Sequence, residues 1–184
     1  MPDSNTARFD TLVAPHLRML LRVAYRLVRN TSDAQDLVQD TCIAACENPA
    51  GIGATEHPVR WLLNVLNRRF VDRTRRQKRA SFVGLEEADA VTQLVCEGPG
   101  PEELLSRSDT EAALIRAYLK LEDAQRTLLV LRAEGYDLTE IELITGLPKE
   151  VLRARLHRAR RSLARHMDEQ TGATPAALRI RSKI

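Results

Sequence analysis

Between residues 147 and 166, seven lysines and arginines stand against one acid, Glu150; between 60 and 79, eight basic residues stand against Asp72 alone. Guanidinium groups at that density neutralise phosphates, and an arginine on a rigid helix can also donate to guanine edges in the major groove. In the later run Leu152, Leu156, Ala159 and Leu163 share one stripe of a helical wheel. Arg153, Ala154, His157, Arg158, Arg161 and Arg165 lie opposite. In the earlier run Trp61 falls off the apolar stripe near Arg68, placed either to stack on an unpaired base or to pack on a neighbouring helix. A third stretch has the opposite character. Asp33, Asp36, Asp40 and Glu47 form an acidic stripe with Gln39 and the apolar Ile43 beside it, a face that repels DNA and suits a basic protein partner. The chemistry is recognition. No Walker loop, no HExxH and no nucleophile–base pairing occurs, so an enzyme is not expected.

The elements that must carry these residues read as helices. Aromatics are only 4% of the 184 residues and Leu, Ala and Arg dominate, which favours helix packed on helix. Phe9 to Leu27 recur at helical spacing, giving one amphipathic helix over 9–29. Ser32, with Gln35 three residues on, predicts the cap of a second helix that buries Ala34, Leu37, Val38, Thr41 and Ala45. Pro49, Gly51 and Gly53 mark a loop, and Pro58 starts a third helix to about Lys78, with Val59, Leu62, Leu63, Leu66 and Phe70 inward. Residues 81–107 lose the periodicity and read as a flexible acidic linker. Ser108 with Glu111 caps the next helix, and another runs from Ala124 to Glu134 before Gly135. Asp137 and Glu140 cap Leu138 to Thr145; Gly146-Leu147-Pro148 then turns into a long helix to about His166. That last pair has helix-turn-helix spacing.

The expected architecture is therefore all-α: two small helical domains, 1–80 and 108–168, joined by the 81–107 linker, with a basic tail over 169–184. Charge follows the same division, +5 over 1–80, −6 over 81–135 and +4 over 136–184. Two basic blocks around an acidic middle suit two polyanion-binding modules, and the acid of the linker should draw the free protein together at low salt. Three cysteines, Cys42, Cys46 and Cys96, are too few and too odd for a disulfide framework; Cys42 and Cys46, four apart, suit packing better than a metal or redox site. No metal or cofactor is expected. There is no apolar run long enough for a membrane span and no signal-peptide order, so the expected location is the cytoplasm.

Asp33-Ala34-Gln35-Asp36-Leu37-Val38-Gln39-Asp40-Thr41 resembles the segment by which bacterial sigma factors grip the clamp helices of RNA polymerase. Trp61-Leu62-Leu63 and the arginines after it resemble the segment that melts and reads the −10 element. Leu138 to Leu163, with Leu156-His157-Arg158-Ala159-Arg160-Arg161, resembles the −35-reading helix-turn-helix. The order, and the absence of a middle domain, resemble the extracytoplasmic-function group. The resemblance implies a transcription initiation factor. Its polymerase contacts would be Asp33, Asp36, Leu37, Gln39, Asp40 and Ile43; its −10 contacts Trp61, Asn64, Arg68, Arg69, Arg75 and Arg76; its −35 contacts Lys149, Arg153, Ala154, Arg155, His157, Arg158 and Arg161. Implied partners are core polymerase, through its beta-prime clamp helices and beta flap, promoter DNA, and an anti-sigma protein. The chain departs from the family pattern at Glu142, Thr145 and the Asn67-Arg68 order. The rival readings are a sigma mimic that decoys an anti-sigma protein, and a repressor that binds DNA without polymerase.

Overall fold

The structure is a computed structural model that describes residues 9–83 and 109–171, without the side chains of 81–83, 109 and 171. All elements among the described residues are helical. Pro15 decides how the chain enters them. It has no N–H to donate and its ring crowds the carbonyl four residues back, so the single helix expected over 9–29 is broken. A helical turn over 9–12 gives way to a 3-10 turn at Ala14–His16, and α1 (Leu17–Val28) starts afresh. It ends on Arg29, which takes the left-handed conformation (φ 57°) while its N–H donates to the Tyr25 carbonyl at 2.7 Å. That conformation costs an arginine roughly 1–2 kcal/mol.

Asn30, not Ser32, caps α2 (Thr31–Glu47). Asn30 is extended, as a cap must be, and its Oδ1 accepts from the Asp33 N–H at 2.9 Å; Ser32 already lies inside the helix. The expected loop contains a short helix, α3 (Pro49–Gly53), begun by Pro49, capped by Asn48 and pinned by the buried Ile52. Helix α4 (Pro58–Val83) then runs past Lys78, taking in the first residues of the expected linker. The rest of that linker, the Ser108 cap and the chain beyond 171 lie outside the described residues.

In the second half α5 (Asp109–Leu119) and α6 (Asp123–Ala133) are followed by α7 (Leu138–Thr145), bounded where the sequence predicts. Asp137 Oδ1 accepts from the Glu140 N–H and Glu140 Oε2 from the Asp137 N–H, each at 2.8 Å. Gly146 (φ 70°) ends α7 in a conformation that favours glycine. Helix α8 (Lys149–Thr171) extends beyond the expected end at His166.

The two halves close on each other. One continuous core joins Leu20, Val23 and Leu27 of α1 and Leu62, Leu63, Leu66 and Phe70 of α4 to Leu128, Val130 and Leu131 of α6 and Ile141 and Ile144 of α7. Where α1, α4 and α6 meet, only a 10 Å³ cavity remains, at the lower limit for a single water. Directed polar contacts fix the docking. The last carbonyls of a helix have no partner inside it. Here Tyr118 Oη donates to the Arg26 carbonyl at 2.8 Å and Arg126 Nη1 to the Leu27 carbonyl at 3.2 Å. The Arg126 guanidinium also lies over the Phe70 ring, 5.1 Å from its centroid, and pairs with Asp123 at 2.5 Å.

Burial holds the Tyr118 hydroxyl well above its ordinary pKa of 10.0. A raised value means that the protonated form is the one folding stabilises, so its contribution is complete below pH 10 and is lost as pH rises through the folded-state pKa. Tyr118→Phe should therefore cost about 1 kcal/mol at pH 8, and the gap to wild type should narrow above pH 10. Denaturant melts of both proteins at pH 8 and pH 10.5 check this; a gap independent of pH would contradict it.

Candidate nucleic-acid and protein interfaces

Helices α2 and α4 pack side by side and carry opposite charges on their outer faces. On α2, Ala34, Leu37, Thr41 and Ala45 point into the core, and the Thr41 hydroxyl donates to the Leu37 carbonyl at 2.8 Å. The inclusion of Leu37 among surface contacts is corrected by its burial: its relative exposure is 0%. Asp36, Gln39, Asp40 and Glu47 are exposed, and Ile43 stands 46% exposed among them. Asp33 is half-buried because it pairs with Arg73 of α4, which also reaches Asp36 at 3.6 Å. The acidic face is thereby fixed to the basic helix behind it.

That ion pair also sorts the arginines of α4. Arg73 is spent on α2, and Lys78 reaches across to Asp123 at 3.0 Å. Arg68, Arg69, Arg75, Arg76 and Arg79 are exposed. Arg68, Arg69 and Arg75 line a groove of about 740 Å³ whose other wall is Glu47 and Asn48 at the end of α2. Trp61 packs half-buried against the core, one of the two readings the sequence left open, and it also lines this groove. The groove is large enough for an unstacked nucleobase, with an indole to lie against and guanidinium groups for its phosphate. Asn64 lines it too, but its Nδ2 donates to the Ile144 carbonyl at 2.5 Å. Asn67 accepts from the Thr127 hydroxyl at 2.9 Å. The sequence singled out Asn67 only as a departure from the family pattern and passed over Asn48, whose one signal was its place before Pro49, where a helix ends.

On α8, Leu152, Leu156 and Ala159 are buried and Leu163 is half-buried, as the wheel predicts. Arg153, Ala154, His157, Arg158, Arg161 and Arg165 are exposed. Lys149 is half-buried, and so is Arg155, which with Arg158 lines a cleft beside Glu122 at the start of α6. Thr145, an unusual polar residue, satisfies its hydroxyl on the Ile141 carbonyl at 2.7 Å. Cys42 is half-buried and Cys46 exposed, and burial raises the Cys42 thiol pKa. Among the described residues no cluster of three or more Cys, His, Asp or Glu could hold a metal ion.

Comparison with known proteins adds to this geometry. The family model described as Sigma-70 region 2 matches residues 12–80, the span of α1 to α4. The chain is 26% identical over 165 residues to the ECF RNA polymerase sigma factor SigW of Bacillus subtilis, covering 86% of this chain and 88% of that one. It is 32% identical over 170 residues to the ECF RNA polymerase sigma factor SigE of Mycolicibacterium smegmatis, covering 90% of this chain and 64% of the relative. Among solved structures, the sigma factor RpoE of Bartonella quintana, crystallised with the anti-sigma factor NepR, shares the fold with a TM-score of 0.62 at 24% identity, over 87% of this chain and 96% of that one.

The sorting of the α4 arginines is testable on single-stranded DNA. Arg68→Ala with Arg69→Ala should flatten the slope of log affinity against log salt by about 1.4, or ~0.7 for each phosphate that is no longer neutralised. Arg73→Ala should leave the slope nearly unchanged but lower the melting temperature, because it strands Asp33. Fluorescence anisotropy on a labelled oligonucleotide across a potassium chloride series reads the slopes, and an equal effect of Arg73→Ala would refute the assignment.

Proposed function

The chain belongs to the extracytoplasmic-function sigma factors, and from that premise we propose how its surfaces divide the work of transcription initiation. The factor joins core RNA polymerase to promoter DNA, and its activity is binding and strand capture. The exposed part of the α2 face, Asp36, Gln39, Asp40 and Ile43, is the polymerase dock: acids steer it to a basic surface and Ile43 supplies the apolar contact. The groove beside α4 receives a base flipped from the −10 strand, with Trp61 under it and Arg68, Arg69 and Arg75 along the backbone. Helices α7 and α8 act as a helix-turn-helix whose exposed Arg153, Ala154 and His157 meet −35 base edges, while Arg158 and Arg161 meet phosphates.

The observation that carries this reading is the back-to-back arrangement of α2 and α4. One ion-paired helix pair presents an acidic, partly apolar face to a protein and a basic groove to nucleic acid, so a single rigid unit couples the two partners. No helix of the described residues is long and apolar enough to cross a membrane. Action in the cytoplasm, with an anti-sigma protein as a regulatory partner, follows from the function proposed.

Asp36→Arg combined with Asp40→Arg tests the dock. The change turns attraction into like-charge repulsion and should weaken binding to core polymerase by several kcal/mol. Circular dichroism should stay as in wild type, since both side chains are exposed. Unaltered affinity for core polymerase in a titration would place the dock elsewhere.

A further inference from the structure

We infer that Cys42 and Cys46 form a two-coordinate thiolate site for a soft monovalent metal ion, Cu(I), on one flank of α2.

The two residues stand on successive turns of an unbroken helix, about 40° apart around its axis. Packing accounts for Cys42, which lies half-buried against the core, but not for Cys46, which is exposed one turn on. The thiols sense each other: burial first, and then the neighbouring Cys46, push the Cys42 pKa up. Their surroundings carry no positive charge from their own helix, since Thr31 to Glu47 contains no Lys or Arg and does contain Asp33, Asp36, Asp40 and Glu47. On the helical wheel the pair lies across from Asp33, the residue that binds Arg73 of α4, so the arginines of α4 stand on the opposite side.

These facts choose among the reactions open to a pair of thiols. A peroxide-sensing cysteine needs a lowered pKa beside a cation, and Cys42 has the reverse. A disulfide needs its two Cβ atoms ~3.5–4.5 Å apart, whereas residues four apart on a helix hold them about 5–6 Å apart. Closing that gap would unwind α2 where it is anchored. The Thr41 hydroxyl donates to the Leu37 carbonyl at 2.8 Å, Ala45 is buried, and the Asn48 N–H donates to the Ala44 carbonyl at 3.1 Å. A metal ion between the sulfurs removes the mismatch. Two metal–thiolate bonds of ~2.3 Å in line set the sulfurs ~4.6 Å apart, against ~2.05 Å in a disulfide, and so suit the helical spacing.

Ligand number then selects the ion. Zinc requires four ligands, or three and a water, and among the described residues no third Cys, His, Asp or Glu completes a group with these two. Thiolates by themselves favour a soft ion, and Cu(I) is the soft first-row ion that they select. On binding, two S–H bonds break, two Cu–S bonds form and two protons pass to water. Copper stays monovalent, so no oxidant or reductant is consumed. Exposed Cys46 gives the ion its entry, and half-buried Cys42 holds it against the core.

The test uses the full chain without oxygen, with Cu(I) supplied as its coloured bicinchoninate complex. The third cysteine, Cys96, lies outside the described residues, so Cys96→Ser is the reference protein. It should withdraw one Cu(I) per chain from the chelator, and X-ray absorption should find two sulfur neighbours at the metal. Cys46→Ser and Cys42→Ser, each added to that reference, should lower the affinity by about 100-fold or more, beyond what loss of a supporting residue outside the ligand set costs. Circular dichroism should be unchanged for Cys46→Ser, whose side chain is exposed, so its loss of copper cannot come from misfolding. Zinc offered at the same concentration from a chromogenic chelator should stay with the chelator. The site is refuted if the reference protein leaves Cu(I) on bicinchoninate or if Cys46→Ser still binds it. It is refuted equally if copper is shared at half an ion per chain between two copies. Formation of a Cys42–Cys46 disulfide by hydrogen peroxide with no loss of helix content would overturn the spacing argument.

Discussion

Helix α4 has one apolar face, and both halves of the molecule need it. Leu62, Leu63, Leu66 and Phe70 complete the core of α1 and α2, and the same stripe receives Ile144 of α7 and the guanidinium and neighbours of Arg126 on α6. Neither half is large enough to hide its apolar surface well by itself, since a unit of some 60–70 residues buries only about 60% of what its unfolded chain exposes. Sharing one helix face is a way for both to gain burial. It also ties the groove side of α4 to the second half of the chain, because the polar residues at the edge of the stripe, Asn64 and Asn67, are drawn into the same contact.

Charge is organised around that helix by sequestration as much as by placement. Arg73 and Lys78 belong to a run of eight bases that looks uniform in the sequence, yet each is turned to an acid, one on α2 and one at the start of α6. The arginines that remain exposed, Arg68, Arg69, Arg75, Arg76 and Arg79, line the groove or continue the helix beyond it. The acids of α2 divide in the same way. Asp33 is a structural partner of Arg73, and Asp36 and Asp40 are left to face outward. Faces of opposite sign can then sit on adjacent helices, because the pairs between them hold those helices together.

Much of this was legible from local pattern, because local physics decides it. The α7 boundaries follow from Asp137, Glu140 and Gly146, all within one turn of the ends they specify. The inward stripes of α2, α4 and α8 follow from the helical period. Other features were not legible, each for a definite reason. Pro15 outweighs an unbroken apolar rhythm, and Asn30 takes the cap from Ser32 because Arg29 has already turned the chain. Leu37 was placed both in the core and among the surface contacts, and packing assigns it to the core. The partners of Asn64, Arg73 and Lys78 lie 80, 40 and 45 residues away in sequence, beyond the reach of any periodicity. The docking of the halves on α4 belongs to that class.

The function proposed for this chain is to give polymerase its promoter specificity. Purified core polymerase, incubated with the wild-type chain on a genomic template library, tests it by mapping the 5′ ends of the transcripts. The expected result is a set of start sites that depend on the chain and share two upstream motifs, near −10 and −35, with the second lost when Arg153 and His157 are both replaced by Ala. Transcripts whose starts are the same with and without the chain would contradict it.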